Sequence, residues 1–314
     1  MNEAVQLYNK PLLKAIIVLI LFYTSKSIAQ QDAQFTQYMY NTIQVNPAYA
    51  GSRGTLSIFG IYRAQWVGLE GAPTTTNASL HSPINNSRVG FGVSFSKDEI
   101  GISVRKTVST DFSYTINTSE DYKLSFGLKG SANLFNVDYT KLNKYDINDP
   151  KFQNNIENQF SPNIGAGVYY HSNKLYAGFS IPFILETKHF DNNATSIAKD
   201  ALHFYFISGY VFDISETTKF KPAFLIKSVK GAPLQADVTA NFMFFDKFVL
   251  GAAWRWSAAV SALAGFQIDS NWFLGYTYDS ETTKLANYNS GSHEIFLRYE
   301  FKGKQEKIIS PRFF

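Results

Sequence analysis

The feature that most constrains this chain is a period of two. From Thr55 onward, apolar residues recur at every second position in short tracts. Val89, Phe91, Val93 and Phe95 interleave with Gly90, Gly92, Ser94 and Ser96. Leu175, Ala177, Phe179 and Ile181 do the same, as do Val260, Ala262, Ala264, Phe266 and Ile268. Trp272, Leu274, Tyr276 and Tyr278 form another tract, and Ile295, Leu297, Tyr299 and Phe301 a further one. A strand sends successive side chains to opposite faces, whereas one face of a helix needs a spacing of three and four. Helical spacing fits none of these tracts, so the chain is β-rich.

Counting the tracts predicts about fourteen strands. They fall near 55–64, 73–81, 87–97, 103–117, 122–137, 161–171, 174–182, 201–213, 218–228, 233–244, 248–256, 259–268, 272–279 and 292–301. The tracts at 201–213 and 248–256 alternate poorly, which leaves the count open by about two. Their mean length suits the ~9–11 residues with which a tilted strand crosses a bilayer. Only 17% of the residues are charged, against roughly 25% in soluble domains. The 28 Phe and 19 Tyr suit a surface that meets something other than water. After the first thirty residues no apolar run reaches the ~20 residues of a spanning helix, which excludes a polytopic helical membrane protein.

The links between tracts divide into two sets. Those at 82–86, 118–121, 172–173, 214–217, 245–247 and 269–271 are short and rich in turn-forming Asp, Asn, Ser and Lys. The alternate links include the much longer 138–160, 183–200 and 280–291. Short periplasmic turns with long exterior loops mark an outer-membrane barrel. A soluble two-sheet sandwich is the competing reading, but it has no reason to sort its links this way. In hydrocarbon an unpaired backbone group costs several kcal/mol, so a spanning sheet must close. The expected fold is therefore an all-β, transmembrane antiparallel outer-membrane barrel. Phe91, Phe179, Leu274 and Leu297 are expected on its outer face, with Trp272, Tyr276, Tyr278 and Tyr299 in aromatic girdles. Arg63, Lys129, Asp237, Glu294, Arg298 and Glu300 are expected inward, among many Gly and Ser.

Ahead of the first tract, Met1–Ala29 has the organisation of a secretory signal. Lys10 and Lys14 precede the apolar run from Ala15 to Tyr23, and Ser27-Ile28-Ala29 places small residues for cleavage near Ala29. Cleavage would remove Lys10, Lys14, Lys26 and Glu3, lowering the net charge of +4 by two. So weak a balance argues against nucleic-acid binding. Four regions are expected: the signal at 1–29, a periplasmic amino-terminal segment at 30–54, the barrel at 55–301 and a periplasmic tail at 302–314.

The residue inventory offers little chemistry. With no cysteine, thiol catalysis and Cys-ligated metals are excluded. His81, His171, His189, His203 and His293 never fall at the i, i+4 spacing of a helical zinc site, and neither HExxH nor GxSxG occurs. Gly90-Phe91-Gly92 and Gly165-Ala166-Gly167 lie inside strands, where glycine marks close packing or a small lumen position rather than a phosphate loop. No catalytic residue, cofactor or metal site is predicted.

Two end segments carry the specific signal. Gln34-Phe35-Thr36-Gln37-Tyr38-Met39-Tyr40-Asn41 is aromatic without alternation, and is expected to pack against the barrel or inside its lower mouth. Asn46-Pro47-Ala48-Tyr49-Ala50-Gly51 follows, with Asn46-Pro47 starting a turn and Gly51 easing the chain into the first strand. The chain closes on Ser310-Pro311-Arg312-Phe313-Phe314. This opening, the β body and the closing SPRFF resemble the PorP/SprF family of outer-membrane proteins of the type IX secretion and gliding systems of the Bacteroidetes. The matching positions are Phe35, Gln37, Tyr38, Met39, Asn41, Asn46, Pro47, Ala48, Tyr49, Ala50 and Gly51, and at the far end Pro311, Arg312, Phe313 and Phe314. Ala33 and Thr36 depart from the family's usual Pro and Ser.

The resemblance implies a non-enzymatic outer-membrane protein that helps export or retain secreted proteins such as adhesins at the cell surface. Its implied partners are secretion-system proteins in the periplasm and outer membrane, a secreted surface protein and outer-membrane lipid. A diffusion porin or solute channel is the alternative, with lumen charges setting selectivity. An outer-membrane hydrolase is a third reading, disfavoured by the missing motif.

Overall fold

The computed structural model describes residues 35–84, 88–142, 154–185, 202–229 and 232–301. The expected signal at 1–29, the tail at 302–314 with Pro311, Arg312, Phe313 and Phe314, and His189 lie outside these residues. Among the described residues the only helices are short: α1 (Thr42–Val45) and three 3-10 turns, the first over Pro47–Tyr49. The remainder is one antiparallel sheet. Its strands are β1 (Ser57–Ala64), β2 (Thr74–Pro83), β3 (Val89–Ile100), β4 (Ser103–Asn117), β5 (Lys123–Val137), β6 (Ile156–His171), β7 (Leu175–Ile181) and β8 (His203–Tyr210). They continue as β9 (Phe212–Asp213), β10 (Thr218–Val229), β11 (Gln235–Phe244), β12 (Phe248–Arg255), β13 (Ala259–Gln267), β14 (Trp272–Glu281) and β15 (Ser292–Glu300).

Both β8 and β9 pair with β10, one on each side of Val211. They are therefore one strand interrupted at a single residue, and the sheet has the fourteen strands the alternation predicts. Each strand pairs with its neighbours in sequence, and β1 pairs with β15 from Ser57↔Glu300 to Ala64↔His293. With β10 paired to β11 as well, no edge is left and the sheet closes. Fourteen strands ~4.8 Å apart, tilted by ~40°, enclose a ring roughly 28 Å across.

The short links all lie at one end of the barrel. At the other end the pattern is less strict than expected, because β3 and β4 are joined by only Gly101 and Ile102, and β12 and β13 by 256–258. Gly101 has φ +56°, a conformation that lets a two-residue link reverse the chain without a Cβ penalty. Strands β3 to β6 are 12 to 16 residues long, against 7 to 10 in β7, β8 and β12 to β15. β6 begins five residues earlier than its alternating tract, where the β5–β6 register shifts between Phe135 and Val137. Asn158 sits at φ +48° there, its N–H bound to the Asn136 side chain at 2.7 Å. That bulge hides the periodicity locally.

The alternation sorts side chains as expected. Phe91, Phe179, Leu274, Leu297, Trp272, Tyr276 and Tyr278 are exposed on the outside, and Tyr299 is half-buried there. Arg63, Lys129, Asp237, Glu294, Arg298 and Glu300 are all buried inside. An exposed apolar outer face with a buried charged interior is the inverse of a soluble sandwich, and rules that reading out. The outer band predicts a depth-dependent response to charge. Leu297→Arg, at mid-height on β15, lowers unfolding free energy in lipid vesicles by about 2–4 kcal/mol, whereas Val260→Arg near the rim costs about 0–1 kcal/mol. Denaturant titration of the vesicle-inserted protein measures both.

Candidate functional site

The hydrophobic core lies inside the barrel, and the amino-terminal segment supplies eight of its 21 buried residues. Residues 35–54 run through the lumen, deeper than the expected packing against the barrel or inside its lower mouth. Phe35, Tyr38, Met39, Tyr40, Ile43, Ala48, Tyr49 and Ala50 form one buried cluster with wall residues that include Phe59, Ile61, Tyr169, Phe273 and Phe296. Gln37, Asn41, Asn46 and Pro47 are buried as well. Gly51, which adopts φ +72°, ends the run by donating its N–H to His81 Nδ1 at 3.2 Å. Thus the amino-terminal residues of the motif, from Phe35 to Gly51, are brought together along the lumen.

Several of the wall residues that break the expected small-or-polar inward face pack against this segment. Tyr40 packs on Phe296 and Phe273 at ring separations of 4.8 and 5.5 Å. Tyr49 meets Tyr169 and His81 edge-on, each at 5.4 Å. Aromatic pairs in these geometries add about 0.5–1.5 kcal/mol each beyond the area they bury. Elsewhere the wall is glycine so that the segment's backbone can approach. A β-carbon built on Gly127 would overlap Pro47 and Ala48, and one on Gly90 would overlap the Ala50 carbonyl. Gly167 and Gly178 make room for the Asn46 side chain. That side chain caps the 3-10 turn by accepting from Ala48 N–H at 3.0 Å, and donates to the Val168 carbonyl at 3.0 Å. Gly90 and Gly167, read from sequence as close-packing or small lumen positions, and Gly178, on the small face of its alternating tract, are sockets for the segment; Gly127 gave no such signal.

Charged groups fix the two ends. At the long-link end Arg63 bridges Asp279 at 2.7 Å and also pairs with Glu294. Glu294 accepts the backbone N–H groups of Thr36 and, at 3.2 Å, Gln37, while Thr36 Oγ1 donates to Asp279 at 2.8 Å. Arg255, paired with Asp237 at 3.1 Å, also reaches Thr36 Oγ1. At the short-link end Arg53 pairs with Glu300 and donates to the Tyr49 hydroxyl at 3.2 Å. Between them Lys129 bridges Asp111 at 3.0 Å and donates to the Ile43 carbonyl.

Arg63, Lys129, Asp237, Glu294 and Glu300 were legible as inward charges; Asp111, Arg255 and Asp279 were not singled out, although each sits at an inward-facing position of its strand. Among the described residues no cluster of His, Asp and Glu could hold a metal ion. The arrangement holds a peptide segment inside the barrel. Two substitutions on β5 test it. Gly127→Val forces the segment from its seat and lowers the melting temperature by several degrees. Gly130→Val, three residues on and facing outward with only Thr110 nearby, leaves it within a degree. Thermal unfolding followed by circular dichroism compares them.

Among solved structures, the chain is similar to a CymD monoaromatic hydrocarbon channel at 11% identity and TM-score 0.49, covering 86% of this chain and 94% of the other. It is similar to outer membrane protein Omp33 of Acinetobacter baumannii at 10% identity and TM-score 0.46, covering 79% and 98%. A Pseudomonas aeruginosa FadL homologue gives 10% identity and TM-score 0.46, covering 88% and 96%. No curated protein sequence matches the chain. A family description does match: type IX secretion system membrane protein PorP/SprF, over residues 27–299. That span contains the lumen segment and every strand but the last residue of β15, and the chain belongs to the PorP/SprF family of type IX secretion system membrane proteins.

Proposed function

We propose that this protein is a non-enzymatic accessory barrel of the outer membrane that helps export secreted proteins such as adhesins and retain them at the cell surface. The observation that carries the reading, beside the family, is the filled lumen. A diffusion porin needs an aqueous path, and here residues 35–54 pack through the lumen, held by the Arg53–Glu300 ion pair at one end and by hydrogen bonds to Glu294 and Asp279 at the other. With the interior closed, the surfaces left for partners are the links at the two ends and the tail.

The orientation follows from the links: the short ones face the periplasm and the long ones the exterior. In this reading the long exterior links meet an exported surface protein, and the tail ending in Pro311-Arg312-Phe313-Phe314 meets periplasmic and outer-membrane secretion components. The signal at 1–29 is removed near Ala29 on the way to the outer membrane, and the outward aromatic band contacts its lipid.

Deleting the gene blocks surface display of a particular exported protein while uptake of small solutes is unchanged; unchanged display contradicts the proposal. In planar bilayers the purified protein passes little current, whereas a variant lacking residues 35–54 conducts. Large, steady conductance from the intact protein favours the porin reading instead.

A further inference from the structure

The interruption at Val211 has a chemical cause on the neighbouring strand. β10 pairs with β8 through Ala223↔Gly209 and with β9 through Phe220↔Phe212, so the register is unbroken and Pro222 stands opposite Tyr210. Hydrogen-bonded pairs recur at every second residue of an antiparallel ladder. Ile214 donates to the Thr218 carbonyl at 2.9 Å, which fixes the phase: Phe212 and Tyr210 turn their backbone groups toward β10. Val211 turns the other way, donating to the Lys174 carbonyl at 3.0 Å. Pro222 has no N–H, so β10 cannot supply a donor to the Tyr210 carbonyl. Proline within sheets belongs on edges or at bulges; this closed sheet has no edge, and the register shows no bulge here.

The missing bond coincides with a groove of about 450 Å³, lined on the outer face by Ser208, Tyr210, Phe212, Pro222, Phe224 and Ile226. Its walls are held, with Tyr210 packed on Phe212 at 4.6 Å and Phe224 on Phe206 at 5.6 Å. Tyr210 lies four residues before Ile214, about 10 Å of barrel height above the short turn. There hydrocarbon gives way to a headgroup layer about 5–7 Å deep.

We propose that this groove binds one phospholipid whose headgroup carries an N–H donor. The amine donates to the Tyr210 carbonyl, and an acyl chain runs along Phe224 and Ile226 toward the middle of the membrane. Two observations choose this occupant. The groove is continuous with the exposed apolar band that meets lipid, and Tyr210, Phe212 and Phe224 belong to both. A carbonyl unpaired in hydrocarbon costs several kcal/mol, which acyl chains alone do not relieve and an amine headgroup does. The site rests on the outer face meeting lipid, and not on which mouth faces the periplasm.

Native mass spectrometry of the full chain, delipidated in detergent and titrated with single phospholipids, tests this. Phosphatidylethanolamine offers N–H donors, and phosphatidylcholine with identical acyl chains offers none. The protein is expected to retain one phosphatidylethanolamine at roughly tenfold lower concentration than phosphatidylcholine. Pro222→Ala restores a backbone donor for Tyr210, and is expected to bind the two lipids alike; Pro222→Val serves the same purpose with a better strand former. Stepwise methylation of the amine gives a reading on the unaltered protein, with the loss expected at the last methyl group. Equal retention of both lipids, or of neither, overturns the inference and leaves the carbonyl to water. A preference that survives in Pro222→Ala and Pro222→Val overturns it as well.

Discussion

Backbone amides and carbonyls that meet hydrocarbon have no water to turn to, and each one left unpaired costs several kcal/mol. The rest of this structure follows from that penalty. The sheet must close, and β1 pairs with β15 along its full eight residues to close it. A ring of fourteen strands is wide. Eight-stranded barrels fill themselves with their own side chains, and sixteen-stranded ones hold an aqueous channel. Fourteen strands whose inward faces carry many glycines and serines leave a void between those limits. The chain fills it with twenty residues taken from just ahead of the first strand.

Filling the lumen changes the chemistry of its charges. In a water-filled pore Arg63, Asp279 and Glu294 would be solvated. Beneath the segment they are sealed from solvent, with Arg63 only 1% exposed, and ionised groups there require partners. They find them in each other and in the backbone N–H groups of Thr36 and Gln37. Truncating one member of such a buried set is costly because the others stay charged. The network therefore specifies where the segment sits more than it adds net stability. Side chains in the segment supply the apolar part: Tyr40 on Phe273 and Phe296, and Tyr49 on Tyr169.

Much of this was legible in the sequence. Strand positions came from the period of two, because outer and inner faces meet different media along nearly every strand. The inward charges followed from the same parity. Three things did not show. The interruption at Val211 and the bulge at Asn158 are local departures from alternation, and a pattern reading blurs them. Phe273 and Phe296 are large apolar side chains at inward-facing positions, stacked on each other, and their reason becomes visible only when Tyr40 is placed against both. The course of residues 35–54 was hidden most completely. Its residues alternate with neither strand nor helix period, and their partners are up to 258 positions away, as Thr36 is from Glu294. Glycines at 90 and 167 pointed to close packing without naming what approaches them.

The central claim is that residues 35–54 are an integral part of the folded barrel rather than an appended arm. Hydrogen–deuterium exchange of the intact protein in lipid vesicles tests it directly. The account predicts that the amides of Thr36, Gln37, Asn46, Tyr49 and Ala50 exchange as slowly as those in the middle of β14 and β15, and open with them. Exchange of that segment within seconds, while the strands stay protected for hours, would contradict it.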